Sequence, residues 1–425
     1  MNIIIAGAGK VGFNLAKTLC VKHSVTVIDQ NRDAIDKISE SLDILPIEGD
    51  VEDSNIYKPF VDKKIDLFIA VTNIDNVNLV STIIADTIID IDKKFVRLKQ
   101  HFFEASLIQK KLGINHIIFP IKLASDAIAS LLEYPKANNI KFFKYTNYRL
   151  ASVQVSQDIG PIKINEIEAN IIGIERKKRF FIPNEDDLII DNDLVYFFAT
   201  DDDVYRICNR LSSAPDLPIE KCVVFGGEEL GISIAQALID NNKNVKLVEK
   251  DLEMCEIANE KLKGKATVIN SKYGTMNIIK EEGFKEADIF ISATKNDEYN
   301  IIKCLEAKNM GIPKVIAMNN EIEYYNLMHS LDIIVMRGPK MSAYNTIMEE
   351  INSSDIILQK NFCGAKAIVY MRKIFPNSKL LGKKVKYLNM ENINLFYIRD
   401  KEIYKFKEKI ILQKNDLIIT FWNYI

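Results

Sequence analysis

Three glycines near the start of the chain have the spacing of an anion-binding turn. Gly7-Ala8-Gly9-Lys10-Val11-Gly12 directly follows the apolar run Ile3-Ile4-Ile5-Ala6 and leads into a helical pattern over residues 13–20. In that setting Gly7 permits a tight turn, Gly9 lets a pyrophosphate approach bare backbone, and Gly12 lets the helix pack close to the strand. The helix N-terminus then offers free N–H groups to the anion. Asp29 ends the next β-branched run, Val25-Thr26-Val27-Ile28, about 20 residues on, where a carboxylate accepts hydrogen bonds from both ribose hydroxyls and repels a 2′-phosphate. The pattern favours NAD(H) over NADP(H).

Other polar residues fall where a parallel sheet would present its carboxyl ends. Asp50, in Glu48-Gly49-Asp50, follows a third apolar run and reads as a ligand contact or as a helix N-cap. Thr72-Asn73 follow Asp66-Leu67-Phe68-Ile69-Ala70-Val71 and line the same crevice, cap the next helix, or do both. Arg97, in Phe95-Val96-Arg97-Leu98, reads as a phosphate contact or an ion-paired edge residue.

The cofactor motif alone does not separate a nucleotide sensor from an NAD-dependent oxidoreductase. The four histidines, His23, His101, His116 and His329, fall in no motif that sets a proton donor beside a nicotinamide, so no catalytic residue is assigned and each reads as a surface or packing residue. A third reading, a scaffold that binds no nucleotide, is disfavoured by the intact Gly9 and Asp29. Cys20, Cys208, Cys222, Cys255, Cys304 and Cys363 lie far apart with no C-x-x-C pair, so no metal or redox site is expected and the thiols read as reduced and mostly buried.

A duplication positions these residues. The glycine turn is echoed by Gly226-Gly227-Glu228-Glu229-Leu230-Gly231, Asp29 by Glu249, and Thr72 by Thr294, at offsets of 219, 220 and 222 between Gly12 and Gly231, Asp29 and Glu249, and Thr72 and Thr294. The tails agree as well, Asp193-Leu194-Val195-Tyr196 matching Asp416-Leu417-Ile418-Ile419. The first part of each half alternates β-branched runs with helical periods, the pattern of a doubly wound parallel sheet. The second, near residues 142–200 and 356–421, carries short strands between polar turns. The fold class expected is α/β: two tandem Rossmann-like doubly wound parallel-sheet domains, each followed by a small β-rich lobe. The expected divisions are 1–135, 136–214, 215–350 and 351–425, with the joint among the prolines near 215.

The second copy departs from the first. Glu228 stands where the second glycine belongs, Asn270-Ser271-Lys272 replaces Gly49-Asp50, and Lys295 replaces Asn73. An anionic side chain where a pyrophosphate would approach predicts weak or no nucleotide binding there, although Glu249 keeps the ribose-binding acid.

Over 425 residues, 48% are hydrophobic and 27% charged, the balance of folded bodies with real cores. A net charge of −2 gives no long-range attraction to nucleic acid or anionic lipid. The N-terminus reads as a first strand and lacks the features of a secretory signal. The apolar stretch at 80–91 is interrupted by Asp86 and Asp90, so no membrane span is expected.

Gly7 to Gly12, Ala70-Val71-Thr72-Asn73, Leu132-Glu133-Tyr134-Pro135 and the duplication together resemble the TrkA family over essentially the full length. That family comprises cytoplasmic regulatory subunits of Trk-type potassium uptake systems, built from paired RCK (regulator of potassium conductance) N- and C-lobes. The resemblance implies binding of NAD(H), with ATP or ADP as further ligands, and docking as a peripheral protein on the inner face of the cell membrane against a potassium-translocating subunit. It implies gate control without chemistry, and a homo-oligomeric ring. By resemblance Gly7, Ala8, Gly9, Lys10, Val11, Asp29, Thr72, Asn73 and Arg97 map to the nucleotide site, with Gly226, Gly227 and Glu249 as counterparts in the second half. Ligand-driven population shift is the implied mechanism.

Overall fold

The computed structural model describes residues 1–99, 106–143, 145–213, 218–271, 283–351, 358–364, 366–376, 378–385, 393–406 and 409–423. His101, Lys272 and the expected joint at 215 lie outside them.

The first six strands, β1 (Asn2–Ala6), β2 (Ser24–Asp29), β3 (Leu45–Glu48), β4 (Ile65–Ala70), β5 (Ile91–Arg97) and β6 (His116–Ile118), form one parallel sheet in the order β3-β2-β1-β4-β5-β6. Ile3, Ile4, Ile5 and Ala6 are at most 1% exposed, as expected of a strand covered on both faces. Helices α1 (Lys10–Leu19), α2 (Arg32–Ser41), α3 (Asp75–Ile88) and α4 (Ser106–Lys111) connect the strands. Helix α1 starts three residues earlier than the apolar pattern suggests, because Gly9 is its N-cap and Val11 already belongs to its buried face with Leu15, Ala16 and Leu19. After β6 comes α5 (Pro120–Leu132).

A five-stranded antiparallel sheet follows, built from β7 (Asn139–Lys141), β8 (Tyr148–Gln154), β10 (Asn170–Arg176), β11 (Arg179–Phe181) and β13 (Leu194–Thr200). A separate ribbon pairs β9 (Ile162–Lys163) with β12 (Leu188–Ile189), and α6 (Asp201–Leu211) ends the half. Arg176 binds Asp193 through two nitrogens, at 2.8 and 2.7 Å, and also donates to the Leu188 carbonyl. Asp193 is fully buried, and the forked guanidinium satisfies both of its oxygens.

The second half repeats this order. Strands β14 (Lys221–Phe225), β15 (Asn244–Glu249), β16 (Thr267–Asn270), β17 (Ile289–Ser292), β18 (Lys314–Asn319) and β19 (Ile334–Arg337) lie as β16-β15-β14-β17-β18-β19. Their helices are α7 (Glu229–Asp240), α8 (Leu252–Lys261), α9 (Asp297–Asn309), α10 (Tyr325–Ser330) and α11 (Pro339–Ile351). A second antiparallel sheet joins β20 (Leu358–Phe362), β21 (Ala367–Lys373), β23 (Ile393–Arg399), β24 (Glu402–Lys405) and β26 (Leu417–Asn423), and the ribbon β22 (Lys384–Val385) with β25 (Ile410–Ile411) stands apart. Arg399 and Asp416 reproduce the Arg176–Asp193 pair, at 2.9 and 2.7 Å.

Contacts divide the chain into two compact units, Met1–Ser125 with Arg337–Met348, and Asp126–Met336 with Glu349–Ile425. The first unit therefore contains the first parallel sheet together with most of α11, a helix that belongs by sequence to the second half. Within that unit the Tyr344 hydroxyl on α11 lies 2.8 Å from the Thr18 hydroxyl on α1.

In the second unit the two β lobes share one core. Phe198 and Phe421 meet at 5.5 Å between ring centroids, and Phe362 packs on Phe180, Tyr196 and Phe421. Lys314 on β18 donates to the carbonyls of Pro135 and Ala137, so the Tyr134-Pro135 turn is held by the second Rossmann sheet. The described cysteines are free thiols, all buried except the partly exposed Cys20.

Because Phe198 and Phe421 are at most 1% exposed, truncating either to Ala should destabilise the β-lobe core by about 3–5 kcal/mol. Urea unfolding followed by tyrosine fluorescence checks this, and an unchanged transition midpoint would contradict the shared core.

Candidate functional site

Where the strand order reverses, between β1 and β4, the carboxyl ends of the first sheet open into a cavity of about 640 Å³. This is the position at which open α/β sheets take their ligands. Gly7, Gly9, Lys10 and Val11 form one wall, Asp29 and Asp50 another, and Thr72, Asn73 and Arg97 a third. Ala8 and Gly12 do not line the cavity. Ala8 is buried and its N–H donates to Asp29 Oδ2 at 2.6 Å, while Gly12 faces the glycine turn.

Each glycine has its own physical reason. Gly7 has φ +114°, a conformation that side chains resist, and a Cβ on Gly12 would stand 1.9 Å from the Gly7 carbonyl oxygen. A Cβ on Gly9 would meet nothing within 4 Å, and φ there is an ordinary −62°. The protein itself therefore does not require Gly9 to lack a side chain; the open space lies on the ligand side, at the N-terminus of α1. These residues fit a pyrophosphate.

Asp29 holds the turn with one oxygen and accepts the Asn31 N–H with the other at 2.8 Å. Each oxygen keeps a lone pair for a ribose hydroxyl. Asp50 accepts the Glu52 N–H at 2.9 Å, and Asp53 rather than Asp50 caps the short helix Ser54–Phe60. Helix α3 is capped by Ile74 without a side-chain bond, so neither Thr72 nor Asn73 takes the capping role.

Thr72 is instead held by a residue that motif reading misses. The buried Asn78 accepts from the Thr72 N–H and hydroxyl at 2.8 and 2.7 Å, and donates to the carbonyls of Thr72 and Arg97 at 3.1 and 2.8 Å. It thereby clamps the ends of β4 and β5 together. Asn300 makes the same bonds to Thr294 and to the Met318 carbonyl. The signal was the equal spacing of Thr72 and Asn78, and of Thr294 and Asn300, in the two halves. Arg97 is 8% exposed and donates to Asn73 Oδ1 at 3.3 Å, placing positive charge at the cavity wall.

One cavity residue comes from the far end of the sequence. Lys340, in the first turn of α11, lines the cavity of the first unit. Nothing in the motifs pointed to it.

The second copy keeps the scaffold of this site and alters its ligand side. Gly226 has φ +109°, and a Cβ on Gly231 would lie 1.7 Å from the Gly226 carbonyl oxygen. Gly227 N–H donates to Glu249 Oε2 at 2.5 Å, matching Ala8 and Asp29. Glu228 has nearly the backbone angles of Gly9, φ −75° and ψ −179° against −62° and −178°, so the exchange cost no backbone strain. Its carboxylate pairs with Lys295 across the site, and Met318 stands where the first copy has Arg97.

Two parallel Rossmann-type sheets in tandem, each followed by an antiparallel β lobe, define a duplicated Rossmann-type protein. The chain belongs to the TrkA-N domain family, which matches residues 3–120 and 222–337; the TrkA-C domain matches residues 155–212. It is similar to the Trk system potassium uptake protein TrkA of Halomonas elongata, 26% identical over 441 residues, covering 99% of this chain and 95% of that one. A Trk system potassium uptake protein TrkA homolog of Archaeoglobus fulgidus is 27% identical over 398 residues, covering 91% and 89%. Among solved structures the NAD-bound GsuK channel shares the fold, with a TM-score of 0.62 and 15% identity over all of this chain and 77% of that one.

The glycine geometry separates two substitutions. Gly9→Ala should change stability by less than about 1 kcal/mol, whereas Gly12→Ala, driving a Cβ into backbone, should cost about 3 kcal/mol or more. Thermal unfolding of the two variants side by side checks the order.

Proposed function

We propose that this chain is a nucleotide-sensing regulatory subunit of a Trk-type potassium uptake system, binding NAD(H), ADP or ATP in its first Rossmann unit and gating a membrane-embedded potassium-translocating partner. The observation that carries the reading is the open space above Gly9, beside the Asp29 carboxylate, in a cavity of about 640 Å³. That size lies within the range of about 300–1,000 Å³ usual for small-molecule sites. The relatives' designation as potassium uptake proteins, and the NAD-bound and ADP-bound GsuK structures, support the choice of ligand and partner.

The site binds without transforming its ligand. N–H groups at the start of α1 take the phosphates, Asp29 takes the ribose, and Arg97 and Lys340 supply positive charge. Lys340 is the residue through which binding reaches the rest of the protein. It sits on α11, whose first turns belong to the first unit and whose last residues, from Glu349, belong to the second. A ligand that prefers one placement of Lys340 biases that helix, and a differential affinity worth about 1–3 kcal/mol gives a graded shift between states. The Glu228–Lys295 pair leaves the second copy as a scaffold. Lobes at 1–135, 136–214, 215–350 and 351–425, assembly into a homo-oligomeric ring and peripheral attachment to the inner face of the cell membrane complete the reading.

Calorimetric titration of the full chain with NADH, NAD, ADP and ATP should give one nucleotide per chain, with no turnover, and Gly9→Glu should abolish it. Absence of heat with all four nucleotides sinks the sensing reading. Asp29 should hold NADPH at least about tenfold weaker than NADH through repulsion of the 2′-phosphate; equal affinities would remove Asp29 from the ribose site.

A further inference from the structure

Far from the nucleotide motifs in sequence, the second unit gathers three donor side chains of different kinds. Glu175 lies on β10, His329 on α10, and Cys363 in the turn between β20 and β21, and one ligand atom from each falls within 4.8 Å of the other two. Glu175 and Cys363 are 5% and 2% exposed, and His329 is partly buried. His329 Nε2 lies 2.7 Å from Glu175 Oε2. The Lys366 ammonium donates to the other oxygen, Oε1, at 2.5 Å and to the Lys178 carbonyl at 2.6 Å. The carboxylate is thus fixed so that Oε2 faces the imidazole.

We propose that Glu175, His329 and Cys363 form a binding site for a divalent transition-metal ion of the zinc class. Sulfur and imidazole donors select such an ion over magnesium or calcium, which prefer oxygen. Bonds of about 2.0–2.3 Å to nitrogen, oxygen and sulfur require the three atoms to stand somewhat more than 3 Å apart, which small side-chain adjustments achieve. On binding, the Cys363 thiol gives up its proton to solvent and the thiolate bonds the metal. Lys366, bonded to the carboxylate oxygen that the metal does not take, orients the ligand in the way outer-shell partners do. Three protein ligands leave a fourth position open. His329, Cys363, Tyr196 and Asp332 border a cavity of about 70 Å³, enough for a few water molecules or a small anion at that position.

Two observations separate this from an ordinary buried ion pair. The duplication supplies an internal control: Arg176 and Arg399 are equivalent, and the residue before each is Glu175 in one lobe and Ile398 in the other, opposite Leu194 and Leu417 respectively. The lobe folds with hydrocarbon at that position, so folding does not account for a buried carboxylate there. Cys363 has φ +51° and is followed by Gly364 at φ +58°. Asn and Asp adopt that conformation more readily than most side chains, so the backbone conformation does not account for a thiol there. An ion pair of Glu175 with Lys366 and His329 requires no thiol at all.

The test uses the metal-stripped full chain. Titration with zinc chloride, read by calorimetry and elemental analysis, should give one ion per chain, and Cys363→Ser and His329→Asn should each weaken binding by at least about tenfold. Cobalt(II) loaded into the unmutated chain should show a thiolate-to-metal charge-transfer band, which reports on Cys363 without any substitution that risks the fold. No stoichiometric zinc, a cobalt spectrum without that band, or an affinity unmoved by both substitutions would each overturn the site.

Discussion

The approach of a helix to a strand turn, at a distance that leaves no room for a single carbon atom, organises both Rossmann units. Gly12 and Gly231 sit so close to the carbonyls of Gly7 and Gly226 that a Cβ would lie 1.9 and 1.7 Å from the oxygen, far inside van der Waals contact. This contact brings the first helix of each half down onto the sheet edge and aims its free N–H groups over the strand ends. The bond from the turn's next N–H to the acid ending β2 or β15 then locks the turn against the neighbouring strand, in both copies.

With that frame in place, the two copies differ at the position between the two constrained glycines. Gly9 and Glu228 occupy it with nearly the same backbone angles. The first leaves open space, and the second places there a carboxylate that pairs with Lys295. Duplication allows this difference because the contacts that hold the turn are separable from the residue at its second glycine position.

The two compact units do not coincide with the two repeats. Helix α11 leaves the half that encodes it and contributes Lys340 to the cavity of the other, and α5 starts in one unit and ends in the next. The aromatic core around Phe198, Phe362 and Phe421 likewise joins residues from both β lobes. Cores of this kind make the two β lobes depend on each other for the burial of their aromatic side chains.

Local chemistry explains what was legible in the sequence. A glycine at positive φ, an acid at the end of a β-branched strand and a run of buried isoleucines each follow from contacts within a few residues, so the parallel sheets, the glycine turns and the exchange of the second glycine for Glu228 were readable directly. The roles of Thr72 and Asp50 were open because a polar residue at a strand end suits a cap and a ligand equally, and the structure removes the cap reading, with Asp53 capping the short helix and Thr72 held by Asn78. Lys340 at the cavity and the meeting of Glu175, His329 and Cys363 belong to tertiary structure alone. No spacing rule connects residues separated by such long stretches of chain, and packing of a helix or hairpin from a distant segment brings them together.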